Sequence, residues 1–521
     1  MTGSSRTANS IRNSIWGWIS KIIAMVLPFV LRTVMIYTIG QSYVGLNSLF
    51  ASILSVLSLS ELGVGTAIVY SMYKPLADGN DDEVCALLNL YRKLYNYIGM
   101  AVLVIGLALL PFLPHFVKGN LPDDINLYTL YLIYLAEAVI SYCFFAYYSS
   151  LLTANQRNDI LSKTQIVLSI VKYLFQIIVL LIWKNYYLYI IFLPLYNLAF
   201  NGLNAIIAHK MYPNYICRGQ IEKENLQEIK KRVVGLMIHK FGTTTRNSLD
   251  SIIISSLLGL VVVAKYNNYY FIMLTVLSFF GALLQGIQAS VGNSVAVESV
   301  DKNFQDLKRF QFIYVWVGGL CTALLLCLYQ PFMLVWVRDQ EMLMTFPEVI
   351  SWCLYFYLLL QGDLISIYNN AAGLWYYGKT RYILEAICNL VLNLVLGKLL
   401  GTFGVILATI LTIFVFSTIY GSFIVFKHYF GSEKIGEYFK QLSQYFLAMV
   451  LTITISYLIC RLFPMTMNLA KGILFIIIRA VICATVYTVL YTLMLHKMPE
   501  YHASKDFLNR NIFRFIHGGV K

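Results

Sequence analysis

The sequence predicts an all-α polytopic membrane protein of about 14 transmembrane helices, two six-helix lobes around a central cavity plus two C-terminal helices. Three observations carry that prediction. Hydrophobic residues make up 59% of the 521 positions and charged residues only 12%, with a mean hydropathy of +0.69, far from the balance of a water-soluble domain. Apolar runs of about 20 residues, the length a bilayer demands, recur along the whole chain. A charged linker near the middle separates stretches whose sequences echo one another.

In the first lobe, residues 1–210, spans are expected at roughly 15–38, 44–73, 93–113, 127–152, 164–183 and 187–209. The first follows a polar stretch, "MTGSSRTANSIRNS". Its apolar run is too long for a signal-peptide core and lacks a small-residue cleavage site, so it reads as a retained helix. The linker, 211–232, contains "CRGQIEKENLQEIKKRV"; apolar Ile221, Leu226, Ile229 and Val233 recur among its charges, which suits an amphipathic helix on the cytoplasmic face. The second lobe, 233–428, holds spans at roughly 233–257, 262–290, 311–337, 346–370, 381–399 and 404–426. Two more, at roughly 441–462 and 473–495, fill 429–495. The tail, 496–521, sets Phe507, Leu508, Ile512, Phe513 and Phe515 among Lys505, Arg510 and Arg514, the pattern of an interfacial helix.

Positively charged loops resist translocation, so the distribution of Lys and Arg sets the orientation. With the N-terminus inside, about 26 of them fall in cytoplasmic loops and tails and about 7 outside. Both termini are therefore expected in the cytoplasm. The net charge of +14 reads as this topology signal plus attraction to anionic lipid rather than as a nucleic-acid surface.

The nine cysteines sit mostly inside spans, with no Cys-x-x-Cys and no Cys/His cluster at zinc spacing, so neither a disulfide framework nor a metal site is expected. No Gly-rich loop ending in Gly-Lys-Ser/Thr occurs, and no loop has room for a nucleotide-binding or extracytoplasmic catalytic domain. The Gly63-Val64-Gly65 pair has Ile68 where a dinucleotide fingerprint wants a third Gly, and it reads as close helix packing. The seven histidines show no nucleophile partner. No catalytic residue and no cofactor are expected.

The echo between the halves is specific in place. "ELGVGTAIVYSMYKPLADGNDDEV" ends the second span and "GIQASVGNSVAVESVDKNFQDL" ends the eighth. Each has a Val-Gly pair, then a small polar pair (Thr66-Ala67, Asn293-Ser294), an acidic loop and a basic-aromatic start to the next helix. Arg32 and Arg246 each precede their own half's motif. Duplicated six-helix bundles account for matches at corresponding places.

Charges then mark the interior. Arg32, Glu61, Glu137, Lys172, Lys240, Arg246, Asp250, Asp363, Glu385 and Arg479 fall at or near membrane depth. Each charge at a helix centre costs about 2.5 to 3.5 kcal/mol on an insertion scale, so they are expected to face protein or water. Arg246 and Asp250, four apart, can equally pair on one helix, and Lys240 and Glu385 lie near enough to helix ends to snorkel. Arg32, Lys172 and Arg479 have no carboxylate at helical spacing. Arg32, Lys172, Lys240, Arg246 and Arg479 are thus the candidate substrate-binding cations, suited to an anionic ligand, since Arg forks onto phosphate oxygens. Glu61, Glu137, Asp250 and Asp363 are the candidate coupling or gating carboxylates. Glu61 has two readings, a proton-taking gate beside Gly63 and Gly65 or a structural ion pair.

Three stretches carry a family resemblance. "LSLSELGVGTAIVYSMYKPLADGNDDEVCALLNLYRKLY", "ASVGNSVAVESVDKNFQDLKRFQFIYVWVGGLCTALLLCLYQPFMLVW" and "NNAAGLWYYGKTRYILEAICNLVLNLVLGKLLGTFGVILATIL" resemble the helix 2–3, 8–9 and 10–12 regions of Wzx-type polysaccharide flippases of the MOP exporter superfamily. The resemblance runs over roughly residues 10–495. It implies alternating access in the bacterial cytoplasmic membrane. The implied cargo is an undecaprenyl-diphosphate-linked oligosaccharide repeat unit, carried from inner to outer leaflet for polysaccharide biosynthesis. It also implies membrane lipids, a polysaccharide polymerase and chain-length machinery as partners. Rival readings are a multidrug or other lipid exporter of the same fold, and a membrane-embedded polymerase or acyltransferase. A polymerase of such a pathway wants a large outer loop, which the sequence lacks.

Overall fold

The computed structural model describes residues 3–58, 63–119, 121–222, 225–227, 229–230, 233 and 248–516. Contacts divide the chain into two units, Met1–Ala264 and Lys265–Lys521. The first unit contains α1 (Gly3–Thr38), α2 (Gln41–Leu57), α3 (Val64–Asp78), α4 (Asp81–Ala108), α5 (Leu127–Cys143), α6 (Tyr147–Ala154), α7 (Asn158–Ile182), α8 (Tyr186–Ile190), α9 (Phe192–Met211) and α10 (Ser248–Leu258). The second comprises most of α11 (Leu260–Val297), then α12 (Val300–Val337), α13 (Phe346–Ala371), α14 (Trp375–Thr412), α15 (Gly421–Val425), α16 (Ile435–Cys460), α17 (Leu469–Leu495) and α18 (Pro499–Ile516). Among the described residues nine helices are long and apolar enough to cross a membrane, or eleven if two bent pairs each count as one. Every predicted span contains helix among its described residues, although residues 234–247 of the seventh lie outside them.

Hydropathy is blind to backbone breaks, and the structure adds several. The second span divides into α2 and α3, and Gly63 caps the start of α3 with φ 102°, a left-handed conformation that a residue without Cβ adopts cheaply. Close packing, the role read for this glycine pair, belongs instead to Gly65: a Cβ there would lie 2.6 Å from the Tyr91 hydroxyl on α4. The fourth span bends by 47° between α5 and α6, where Phe145 takes φ 59°. Gly401, at φ 62° and ψ −139°, interrupts α14 between the eleventh and twelfth spans. The twelfth is wound partly as π-helix, over Ile413–Tyr420 and Phe426–Phe430.

Each unit packs an apolar core, with Leu46, Ile68, Val84 and Leu130 in the first and Met273, Leu307, Trp352 and Leu360 in the second fully buried. Large apolar side chains such as Ile182, Ile206, Leu399 and Leu462 stay exposed, as expected where acyl chains rather than water surround a helix.

The two acidic loops flagged by the repeat are built alike. Asn80 caps α4 by accepting from the Glu83 amide at 3.2 Å, and Ser299 caps α12 by accepting from the Lys302 amide at 3.3 Å. Each loop also holds the segment that leaves the sixth span of its own half. Asp82 pairs with Arg218 at 3.0 Å, Glu83 accepts from Asn225 at 3.4 Å, and Tyr215 hydrogen-bonds to Asp81. Burial and that neighbouring carboxylate push the Tyr215 phenol above its ordinary pKa. In the second unit Asp301 pairs with Lys434 at 2.5 Å. Residues 212–222 are irregular, so the amphipathic helix expected over the linker does not include its first half, Ile221 among it, and much of the rest lies outside the described residues. The tail is helical as α18 and packs on α12, where Ser504 donates to the Arg309 carbonyl and Phe507 meets Phe310 edge-on.

Candidate functional site

The first unit gathers polar side chains from five helices into one seam. On α7, Lys172 lies between two phenol rings, with its ammonium 4.4 Å from the Tyr173 centroid and 4.5 Å from that of Tyr196 on α9. Glu137 of α5 is the charge that faces it. The same carboxylate accepts from Asn197 of α9 at 2.9 Å, so cation, acid and amide share one environment. Helical spacing explains the set, since Tyr196 and Asn197 enter from α9 as neighbours while Ser169, Lys172 and Gln176 fall on adjacent turns of α7. Ser169 donates to the Tyr196 hydroxyl at 3.4 Å.

Arg32 joins this seam from α1, half-buried and beside Tyr189. Tyr189 in turn neighbours Tyr173, which closes the path from Arg32 to Lys172. Gln176, fully buried, donates to the Tyr189 carbonyl at 3.1 Å and fixes that turn of α8 against α7. Beyond it Tyr186 stacks on Tyr189 and shares a 3.1 Å hydroxyl contact with Tyr134, which donates to Asn47 at 2.7 Å. Asn204 on α9 is fully buried, and neither end of its amide has a hydrogen-bond partner among the described residues. An unmet buried amide of this kind costs about 1–3 kcal/mol.

Other predicted residues lie elsewhere. Asp250, on α10, is 1% exposed and stands next to buried Ser251. Asp363, on α13, is exposed and close to Tyr314 of α12. Arg479, on α17, spends its N–H groups on main-chain carbonyls: Nη1 donates to Cys327 at 3.4 Å and Nη2 to Phe463. Buried thiols of Cys327, Cys460 and Cys483 surround it. Glu61, Lys240 and Arg246 lie outside the described residues. Sequence reasoning missed Tyr189, Tyr196, Asn197 and Asn204, since 39 tyrosines offer no way to single one out. An Asn at every fourth or third place along α9 (Asn197, Asn201, Asn204) is the signal that was available.

A polytopic helical bundle with a charged, tyrosine-rich seam defines the class, and solved structures share its fold. One of "Lipid II flippase MurJ, inward closed conformation" aligns over 94% of this chain and 99% of its own, with a TM-score of 0.66 at 16% identity. An inward-facing multidrug resistance MATE family transporter of the MOP superfamily aligns over 77% and 94%, with a TM-score of 0.57 at 11% identity. A mutant of the Vibrio cholerae MATE transporter VcmN aligns over 81% and 98%, with a TM-score of 0.56 at 14% identity. These likenesses are of fold. Among curated proteins none matches by sequence. The family described as "Polysaccharide biosynthesis protein" matches residues 10–287, more than half of the chain, and the protein belongs to that family.

Proposed function

We propose that the protein is a flippase that carries undecaprenyl-diphosphate-linked oligosaccharide repeat units from the inner to the outer leaflet of a bacterial cytoplasmic membrane, by alternating access and with both termini in the cytoplasm. The observation that carries this reading is the cation–aromatic seam of the first unit in a chain of the polysaccharide biosynthesis family. Lys172, and Arg32 along the same path, supply positive charge for phosphate oxygens. Tyr173, Tyr189 and Tyr196 supply flat faces on which sugar rings rest. Glu137 keeps Lys172 company when no cargo is present, and the phosphate takes its place. Released from the ammonium, the carboxylate becomes easier to protonate, which gives a secondary-type transporter a route to couple cargo with an ion. Lys240 and Arg246 extend the cationic set in the second lobe, and Glu61, Asp250 and Asp363 remain the further coupling candidates. Arg479 is assigned to holding α17 in place. A polymerase and chain-length machinery would receive the product.

A drug exporter of the same fold would use Glu137 on organic cations, and Lys172 beside it opposes that use. The test is complementation of a strain that depends on the protein for surface glycan. Lys172→Met is expected to abolish glycan display and leave carrier-linked single repeats on the inner face, with Lys172→Arg restoring part of the signal. Normal glycan from Arg32→Gln combined with Lys172→Met, in protein that still inserts, would remove the reading. Accumulation of single repeats on the outer face would indicate a polymerase instead.

A further inference from the structure

A second charged cluster sits at the opposite end of α7 from Trp183. Asp159 is fully buried, and three cations converge on it: Arg12 of α1 through Nε at 3.0 Å, Arg157 through Nε at 3.0 Å and Lys163 through Nζ at 3.5 Å. The knot is reinforced by Asn13, which donates to the Gln156 carbonyl at 2.9 Å and accepts from the Asp159 amide at 2.8 Å. Its charges do not balance. Three positive groups share one negative group among the described residues, and the distribution is layered: the acid has no exposed surface, while the side chains of Arg12, Arg157 and Lys163 are 38%, 25% and 44% exposed. Anything approaching from outside meets cations and not the carboxylate.

The surroundings fix what kind of anion this suits. The adjoining turns of α1 present Ile15, Trp18, Ile19 and Ile22, all exposed, within a helix long and apolar enough to span a membrane. Lys163 stands 4.9 Å from the ring of Trp16, and Lys21 stands 5.9 Å from that of Trp18. Tryptophan and cations together at the end of a spanning helix mark the depth of lipid head groups. Past Lys21 the α1 sequence is apolar as far as Arg32, while before it the cluster is positive. We infer that Arg12, Arg157 and Lys163 form a binding site for the phosphate of an anionic glycerophospholipid, whose acyl chains lie along Ile15, Ile19 and Ile22. The lipid joins the start of α1 to the start of α7, as Asp159 does from within. This site is separate from the seam around Lys172, and it requires no cargo.

The test uses the full chain in detergent, titrated with phosphatidylglycerol, phosphatidylcholine or inorganic phosphate, and reads bound lipid by native mass spectrometry alongside the unfolding temperature. Phosphatidylglycerol should be retained and should raise the unfolding temperature; the other two should do neither. Each cation lost should weaken retention about five-fold, so Lys163→Gln gives about five-fold and Arg12→Gln with Lys163→Gln about 25-fold. Asp159→Asn, which removes the buried negative charge, should strengthen retention. Raised salt should weaken it. Equal retention of phosphatidylcholine, the same stabilisation by inorganic phosphate, or retention unchanged in Lys163→Gln would each overturn the inference. Lys163→Gln alters one exposed side chain, so it serves if the double variant does not fold.

Discussion

The two copies of the Val-Gly motif have diverged in one respect that matters. In "LGVGT" the glycine at 63 adopts φ 102° and caps the start of α3, after α2 has ended at Leu57; in "ASVGN" the matching place is Ser290, and α11 runs on as one helix from Leu260 to Val297. The following glycines differ too. Gly65 faces the Tyr91 hydroxyl, whereas Gly292 has nothing within 4 Å of where a Cβ would stand. Yet the loops after them keep the same construction, with a polar cap at Asn80 or Ser299 and an acidic side chain tied to the exit of the sixth span. The two stretches are alike at the starts of the helices that follow and differ in the course before them. The second span is broken in this region and the eighth is continuous.

The largest way to break this comparison is at the glycine itself. Gly63→Val forces a β-branched residue into left-handed backbone and should cost about 3 kcal/mol, read as a lower unfolding temperature in detergent and lost glycan display. The reciprocal Ser290→Gly should cost only about 1 kcal/mol, because it weakens a helix without demanding a new conformation. Next comes Gly65→Ala, expected to destabilise by about 1–2 kcal/mol through the clash with Tyr91. Adding Tyr91→Phe should recover part of that loss, and Gly292→Ala should be neutral or slightly stabilising in the same assay. The caps are expected to be equal. Asn80→Ala and Ser299→Ala should each cost about 1 kcal/mol, and a difference of more than twofold would show that the loops are not equivalent. Smallest are Asp82→Ala and Asp301→Ala, a few tenths of a kcal/mol each, since both acids are 86% exposed and exposed pairs contribute little.

Apolar length and charge spacing made the order of spans legible from the sequence, down to the helical tail. The breaks at Phe145 and Gly401 were not, because a hydropathy window registers burial preference and carries no record of φ. Lys172 and Glu137 stood out as charges in apolar runs, and the structure brings them together. Asn197 and Tyr196 complete their surroundings without leaving such a mark, since an amide and a phenol raise no alarm in an apolar helix. Asp159 escaped notice for another reason. It lies just before the predicted start of the fifth span, where a charge looks solvated, and only the packing of α1 against α7 buries it.

The interruption at Gly63 has a consequence for the bilayer. At about 1.5 Å per residue, the 17 residues of α2 and the 15 of α3 each fall short of a hydrocarbon core about 30 Å thick. Neither piece spans that core alone, so the two have to enter it as a pair. A main-chain group left unpaired within that core is tolerated only against neighbouring protein or a wet pathway.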